Sequence, residues 1–247
     1  MSTLNTLLIG SGRLARHLHH WSQLNKVSVH SISLSGSEDV SALATWNRSE
    51  PFEDLKKHLE TAQIIWLAIS DRSIVPFFDE HLKNTTAKVV HFSGALYDPR
   101  ITGAHPLMSF PESLLDNEVY GNVHFAVDES VNDLKDLLPG FENASFKVPA
   151  DQKALYHALC VTAGNFPQLL WSMTLKEFRN LNVPDQAVEL YLKQITELFI
   201  SLKEQSLTGP LVRADNETIE KNLSALNKNP SLSAIYKTFA GVYKHEN

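Results

Sequence analysis

The stretch Leu4–Leu24, LNTLLIGSGRLARHLHHWSQL, decides the fold of this chain. A short apolar run at residues 7–9 is followed by a segment with two glycines, Gly10–Ala15, and then by a helical pattern. The apolar residues of that pattern recur at steps of four and three residues, as on one face of a helix: Leu14, Leu18 and Trp21. This order of strand, glycine turn and helix predicts a dinucleotide-binding turn.

The residues of this turn each have a physical reason to be there. Gly10 permits a tight turn, and Gly12 lets the backbone approach a pyrophosphate because it has no Cβ. Ala15 is small enough for the helix to pack closely on the strand, and the helix N-terminus attracts phosphate charge. We therefore expect the cofactor to contact Gly10, Ser11, Gly12, Arg13, Leu14 and Ala15. The alternative is a glycine turn that only packs the helix on the strand.

The second predicted strand, residues 27–34, bears on the choice of cofactor. NAD-binding relatives of this fold place an acidic residue at its end, where it bonds the ribose 2′-hydroxyl. Here no acid occurs before Glu38, and Ser33 and Ser35 can donate hydrogen bonds to a 2′-phosphate, with Arg13 as a further partner. The pattern favours NADP over NAD.

Two apolar runs further along, residues 64–69 and 89–92, predict buried strands separated by a helix. Alternating strands and helices are typical of an α/β fold with a doubly wound parallel sheet, which binds ligands at the carboxyl ends of its strands. Residues at those ends are candidate cofactor neighbours, although plain strand-to-helix turns would read the same: Ala68, Ser70, Ser93 and Gly94.

From Asp151 onward the sequence reads as helices, which predicts a Rossmann-like domain at 1–150 and an all-α domain at 151–247. One long helix is expected over 151–181, kinked near Pro167. A second, over 185–206, has an apolar stripe wide enough to be covered on two sides. We therefore expect a homodimer formed by the C-terminal helices, with residues 151–247 also serving the substrate.

Composition excludes several classes of partner. The 247 residues carry a net charge of −6, so no nucleic-acid partner is expected. The N-terminus has no signal-peptide pattern and no apolar run reaches transmembrane length, so we expect a cytoplasmic protein without a membrane partner. The single cysteine, Cys160, reads as a buried thiol in a reducing compartment, and no metal-binding motif occurs.

Several motifs together resemble a known family. They are GSGRLA at 10–15, LAISD at 67–71, HFSGAL at 91–96, AHPLMSF at 104–110, YHALCVTAGNF at 156–166 and SLTGPLVRAD at 206–215. They resemble Rossmann-like proteins that carry a C-terminal helical domain of unknown function, of the 2520 type. These proteins are related to pyrroline-5-carboxylate reductases and deazaflavin-dependent NADP oxidoreductases. The resemblance implies a Rossmann-like fold and NADP. It leaves the reaction open, and this chain has serines and leucine at the second strand where relatives often place an arginine.

The same motifs supply four candidates for chemistry: His105, His157, Asn165 and Arg213. A histidine has the intrinsic pKa to exchange a proton near neutrality, and His105 is expected in a proline-containing loop after the sheet. His157 on an apolar helix could equally be a core residue, and Asn165 could serve the helix kink at Pro167. Arg213 could clamp a substrate carboxylate or form a surface ion pair.

Two functions therefore remain open. One is an NADP-dependent oxidoreductase acting on a small keto, imino or hydroxy acid at a cleft between the two domains. The other is a nucleotide-binding sensor or scaffold without turnover, which the absence of an obvious catalytic lysine keeps open.

Overall fold

The computed structural model describes residues 4–32 and 52–246, so Ser33 and Ser35 lie outside the described residues. The chain forms two compact units, Met1–Gly164 and Asn165–Asn247. The domain boundary at residue 150 that the sequence predicts stays a prediction. Among the described helices, none combines the length and apolar character needed to cross a bilayer.

Within the described residues of the first unit, seven strands form one sheet. They are β1 Thr6–Ile9, β2 Val29–Ile32, β3 Ile64–Leu67, β4 Lys88–His91, β5 Thr102–Pro106, β6 Phe125–Asp128 and β7 Ser145–Val148. Their order is β2-β1-β3-β4-β5-β6-β7, and every neighbouring pair is parallel except β5 and β6. The predicted α/β class is confirmed, with the last two strands reversed relative to the other five.

The central strands are apolar because helices cover both faces of the sheet. Side chains alternate between the faces, so that Leu8 and Trp66 join one buried cluster while Leu7 and Ile65 join the other. Strands β1 and β3 are buried along their whole length. Continuous apolar runs of this kind are typical of parallel sheets covered on both faces.

The helices of the first unit are α1 Arg13–Leu24, α2 Phe52–Thr61, α3 Asp71–Phe77, α4 Asn117–Gly121 and α5 Lys153–Cys160. A π-helical turn, Phe78–Leu82, extends α3, and a second one, Val161–Asn165, follows α5. Short 3₁₀ turns occupy Leu134–Asp136 and Ala150–Gln152. Cys160, expected to be buried, is only half-buried at the end of α5.

Strand β5 corrects the expectation that His105 lies in a loop. Residues 102–106 pair with β4 on one side and with β6 on the other, which places His105 within the sheet. The segment TGAHP has neither alternating polarity nor β-branched character beyond Thr102, so its sequence gives no strand signal. Pro106 is tolerated because it is the last residue of the strand.

The second unit is helical, as the sequence predicts. Its helices are α6 Phe166–Asn180, α7 Asp185–Leu202, α8 Asn216–Ala225 and α9 Pro230–Glu246, with 3₁₀ turns at Lys203–Ser206 and Leu226–Lys228. The single helix expected over 151–181 is instead divided at the π-helical turn. Pro167 lies in the first turn of α6, where its missing N–H breaks no helical hydrogen bond. Asp215 caps α8, accepting from the Thr218 N–H at 3.0 Å.

Candidate functional site

The glycine turn joins the end of β1 to the start of α1. Gly10 has φ +148°, and a Cβ there would collide with the carbonyl oxygen of Ala68 and approach the Ala15 Cβ at 3.2 Å. Gly10 is therefore required by the fold itself. At Gly12, by contrast, an added Cβ would meet no atom of another described residue within 4 Å, apart from its chain neighbours. The space in front of Gly12 is open to a ligand.

A cleft of about 560 Å³ opens in front of this turn. It is lined by Gly10, Ser11, Gly12, Arg13, Leu14, Ala68, Ile69, Ser70, Ser73 and Phe77. Of the cofactor residues predicted from sequence, the structure brings seven together here. Ala15 is buried behind them, against Gly10. The sequence analysis did not predict three further lining residues, Ile69, Ser73 and Phe77. They lie in the turn after β3 and in α3.

The start of α1 is suited to an anion. Its first turn contains no acidic residue, and its N-cap, Gly12, has no side chain to occupy the first N–H groups. Two arginine side chains form ion pairs with Glu112: Arg13 Nε is 3.6 Å from Oε1, and Arg16 Nη1 is 3.1 Å from Oε2. The Arg13 side chain remains mostly exposed. The exposed guanidinium beside the cleft can serve a phosphate group.

Ser93 lies next to this cleft but does not line it. Its Oγ donates to Asp71 Oδ2 at 2.5 Å and accepts from the N–H groups of Ala95 and Leu96. Asp71 directly follows the cleft residue Ser70 and begins α3. The Ser93–Asp71 hydrogen bond thus ties the end of β4 to the helix that flanks the cleft.

Beyond Ser93, four residues form what we call the histidine corner: Gly94, His105, Tyr156 and His157. A Cβ on Gly94 would lie 2.9 Å from His157 Cδ2 and 3.2 Å from His105 Nε2, so only glycine lets both rings approach here. The two imidazole centroids are 6.3 Å apart, edge to face. His105 Nδ1 lies 2.9 Å from the Tyr156 hydroxyl.

Two members of the histidine corner, His105 and Tyr156, are uncharged near neutral pH. Burial lowers the pKa of His105 to about 4, and repulsion from His157 acts in the same direction. Burial also raises the pKa of Tyr156, and the neighbouring Cys160 thiol acts in the same direction. His105 is therefore not poised to exchange a proton at neutrality, as its unperturbed pKa would suggest. It is a neutral imidazole beside a protonated phenol.

A buried ion pair lies beneath this corner. Lys153 Nζ pairs with Asp128 Oδ1 and donates to the Leu96 carbonyl at 2.9 Å, while Asp128 Oδ2 accepts from the Gly103 N–H at 2.6 Å. His91, fully buried at the same place, accepts from the Ser93 N–H through Nδ1. Burial, together with the neighbouring Lys153 ammonium, lowers the pKa of His91 to about 4. Sequence analysis found no prominent lysine, because a lone lysine before an apolar helix carries no distinctive signal.

The remaining predicted residues are in the second unit. Asn165 is exposed at the start of α6, and its side chain makes no hydrogen bond within the described residues. Arg213 is exposed in the turn before α8. Tyr156, which the sequence analysis missed, had one available signal: it directly precedes the candidate His157 in the motif YHALC.

The sheet order and the helices define a Rossmann-like fold followed by a helical C-terminal part. Residues 125–242 match the family model described as a domain of unknown function, DUF2520. The resemblance inferred from the sequence motifs is thereby confirmed. None of the curated proteins matches this sequence.

Solved structures show the same fold over nearly the whole chain. A proposed NADP oxidoreductase from Bacteroides fragilis has a TM-score of 0.76 at 16% identity, covering 99% of this chain and 98% of that one. A protein from Thermotoga maritima has a TM-score of 0.69 at 20% identity, covering 97% of each. A 1-pyrroline-5-carboxylate reductase from Streptococcus pyogenes has a TM-score of 0.59 at 15% identity, covering 98% of each.

Proposed function

We propose that this chain is an NADP-dependent oxidoreductase acting on a small keto, imino or hydroxy acid. The observation that carries the proposal is the open space in front of Gly12 at the acid-free N-terminus of α1. A pyrophosphate needs both features: close backbone approach and N–H groups that no side chain occupies. The described residues of the cleft therefore fit the cofactor, and the names of the similar structures support the same choice.

The residues of the cleft and those of the histidine corner would have different roles. Gly12 and the first turn of α1 would hold the pyrophosphate, with Arg13 beside it for a further phosphate. When bound, NADPH supplies a hydride to an electrophilic carbon. Gly94 follows the carboxyl end of β4, His105 is in β5, and His157 approaches both from α5. They are at the end of the strands that also carries the glycine turn. The half-buried, neutral ring of His105 can orient the polar atom of a substrate, whose final proton comes from solvent.

The test is nucleotide binding by the Gly12→Val variant. Because a Cβ at Gly12 meets no atom of another described residue apart from its chain neighbours, the variant should fold like the wild type and yet bind NADPH at least tenfold more weakly, since the branched side chain occupies the phosphate approach. Titration of NADPH fluorescence measures the affinity, and thermal unfolding checks the fold.

Gly121→Val is the matched control, because Gly121 also has open space in front of its Cα and does not line the cleft. It should leave NADPH affinity unchanged. Equal affinity of wild type and Gly12→Val would mean that the nucleotide binds elsewhere. A wild-type preference for NADH would reject NADP alone, and binding without turnover of any small keto or imino acid would favour the sensor or scaffold alternative.

We also propose that Asn165 and Arg213 take part in substrate binding. The support is chemical: an exposed amide and an exposed guanidinium fit a substrate with a carbonyl or carboxylate group. Asn165→Ala and Arg213→Ala should each raise the KM for the substrate. Their thermal unfolding temperature and NADPH affinity should stay at the wild-type values. If both variants keep the wild-type KM, the helical residues have no part in substrate binding.

A further inference from the structure

The histidine corner contains polar atoms whose purpose the nucleotide cleft does not explain. Within the described residues, His105 Nε2 makes no hydrogen bond, and it lies 3.2 Å from the point where a Cβ of Gly94 would be. The ring is half-buried, so the nitrogen is neither in the core nor freely solvated. A ligand that lies over Gly94 would supply a hydrogen-bond partner for this nitrogen.

The contact with Tyr156 determines which nitrogen of His105 carries the proton. A neutral imidazole has one N–H and one acceptor nitrogen. The neighbours of the Tyr156 hydroxyl are His105 Nδ1 at 2.9 Å and the thiol of Cys160. A thiol is a weak acceptor, whereas an imidazole nitrogen is a good one, so the phenol donates to Nδ1. The proton of His105 then resides on Nε2.

We propose that Tyr156 fixes His105 as the Nε2–H tautomer and that this neutral N–H is the donor for the oxygen of a carbonyl or hydroxyl substrate. Tyr156 is a positioning residue here, and His105 is the group that touches the substrate. The lowered pKa of His105 supports the assignment, since the ring stays a neutral donor across the physiological range. The charged and titratable groups acting on the ring are His157 and Lys153 from α5 and Asp71 from α3.

The assignment narrows the substrate class of the proposed function, on which it rests. A carbonyl oxygen has lone pairs that accept from Nε2–H. A protonated imine has no lone pair on nitrogen, so its N–H would face another donor. A neutral Nε2–H donor therefore selects carbonyl and hydroxyl compounds against protonated imines.

The tautomer can be measured without any nucleotide. In the chain labelled with nitrogen-15 histidine, the two ring nitrogens of each tautomer have different chemical shifts, and His105→Gln identifies the His105 signals. At pH 7 we expect protonated Nε2 and unprotonated Nδ1. A protonated Nδ1 with a bare Nε2, or an imidazolium, overturns the proposal. Because this measurement needs no cofactor, its failure is distinct from failure of NADPH binding by the wild type.

Two tyrosine variants separate positioning from packing. Tyr156→Phe keeps the ring, whose edge contacts His105, but removes the hydroxyl. It should populate both tautomers while NADPH affinity and thermal stability stay close to wild type. Tyr97→Phe removes a hydroxyl from an exposed tyrosine and should leave the tautomer unchanged. An unaltered Nε2–H tautomer in Tyr156→Phe overturns the role of Tyr156.

The substrate class is tested by the same signal. With NADP+ bound, a panel of short 2-oxo acids should include members that shift the His105 Nε2 resonance. The affinity measured from this shift should be weaker in Tyr156→Phe, because only part of its population carries the Nε2–H. 1-Pyrroline, at a pH where it is protonated, should leave the resonance in place. A shift caused by 1-pyrroline alone, or by no 2-oxo acid, overturns the carbonyl assignment.

Discussion

His91 is a neutral imidazole kept in the core at the end of β4. Its Nδ1 accepts from the Ser93 N–H, and no partner for Nε2 occurs within the described residues. The charged groups that act on it are Lys153, which opposes protonation, and three carboxylates, which favour it: Asp128, Asp71 and Asp98. Protonation would place a second positive charge beside the buried lysine, so folding holds the ring neutral.

This residue should make stability depend on pH. Its pKa falls from 6.5 to about 4 on folding, so the unfolded chain binds more protons between these values. Its contribution is complete above pH 6.5 and is lost as the pH falls toward 4, by about 3 kcal/mol at most. His91→Asn keeps an acceptor for the Ser93 N–H. It should lower stability at pH 7 but flatten the loss between pH 6.5 and 4.5.

Urea unfolding of wild type and variant at several pH values measures this slope. The exposed His124 provides the control, because His124→Asn should keep the wild-type slope. Other histidines contribute in the same direction, including His17 and His19, whose pKa values burial also lowers. The difference between wild type and His91→Asn therefore carries the result, and parallel slopes would contradict it.

At the scale of elements, one ion pair joins the sheet to α5. Lys153, the first residue of α5, pairs with Asp128, the last residue of β6. Tyr156 and His157 follow three and four residues later, on the same side of the helix as Lys153. The ion pair thus determines how Tyr156 and His157 of α5 approach His105 in β5.

Breaking this pair should be costly because both side chains are buried. Lys153→Met leaves an unpaired carboxylate in the core, for an expected loss of about 3–5 kcal/mol. Asp128→Asn keeps the acceptor for the Gly103 N–H, so the double variant should lose less than the sum of the two single variants, by on the order of 1–3 kcal/mol. Urea midpoints at constant m value measure all three.

The exposed pair of Lys135 and Glu142, 2.6 Å apart, is the matched control. Lys135→Met should change the unfolding midpoint little, since water replaces the lost contact. Additive losses in the Lys153–Asp128 cycle, or a Lys153→Met midpoint equal to that of Lys135→Met, would show that the buried pair does not couple the two elements.

The elements differ in how far the sequence predicts them. Strands β1, β3 and β4 are apolar runs, and Gly10–Ala15 is a local motif, so short-range patterns predicted both the sheet and the cleft. Strand β5 has no such pattern, because its place depends on pairing with β4 and β6. The ion pair and the Tyr156–His105 contact join residues 25 and 51 positions apart, and no local pattern encodes contacts at that separation.

At the scale of the whole molecule, the second unit exposes more apolar surface than a small helical unit should. Helix α6 contains no buried residue, and α7 contains one, Val188. Large exposed apolar side chains occur along both helices and in the segment after α7: Phe166, Leu169, Leu190, Tyr191, Phe199, Ile200, Leu202 and Leu207. Many large apolar side chains exposed on neighbouring helices are typical of an interface.

We expect a homodimer in which the partner covers these helices. One chain has a mass of 27.7 kDa, so light scattering at micromolar concentration should give twice that value. Phe199→Glu and Leu190→Glu each place a charge on a side chain that is already exposed within one chain, by 58% and 69%. They should therefore give folded monomers. Lys193→Glu, on the same helix at a polar exposed position, should remain dimeric. A wild-type mass of one chain would refute the dimer. A C2 interface buries the same patch from both subunits, so charge variants that stay dimeric would show that the interface does not include α7.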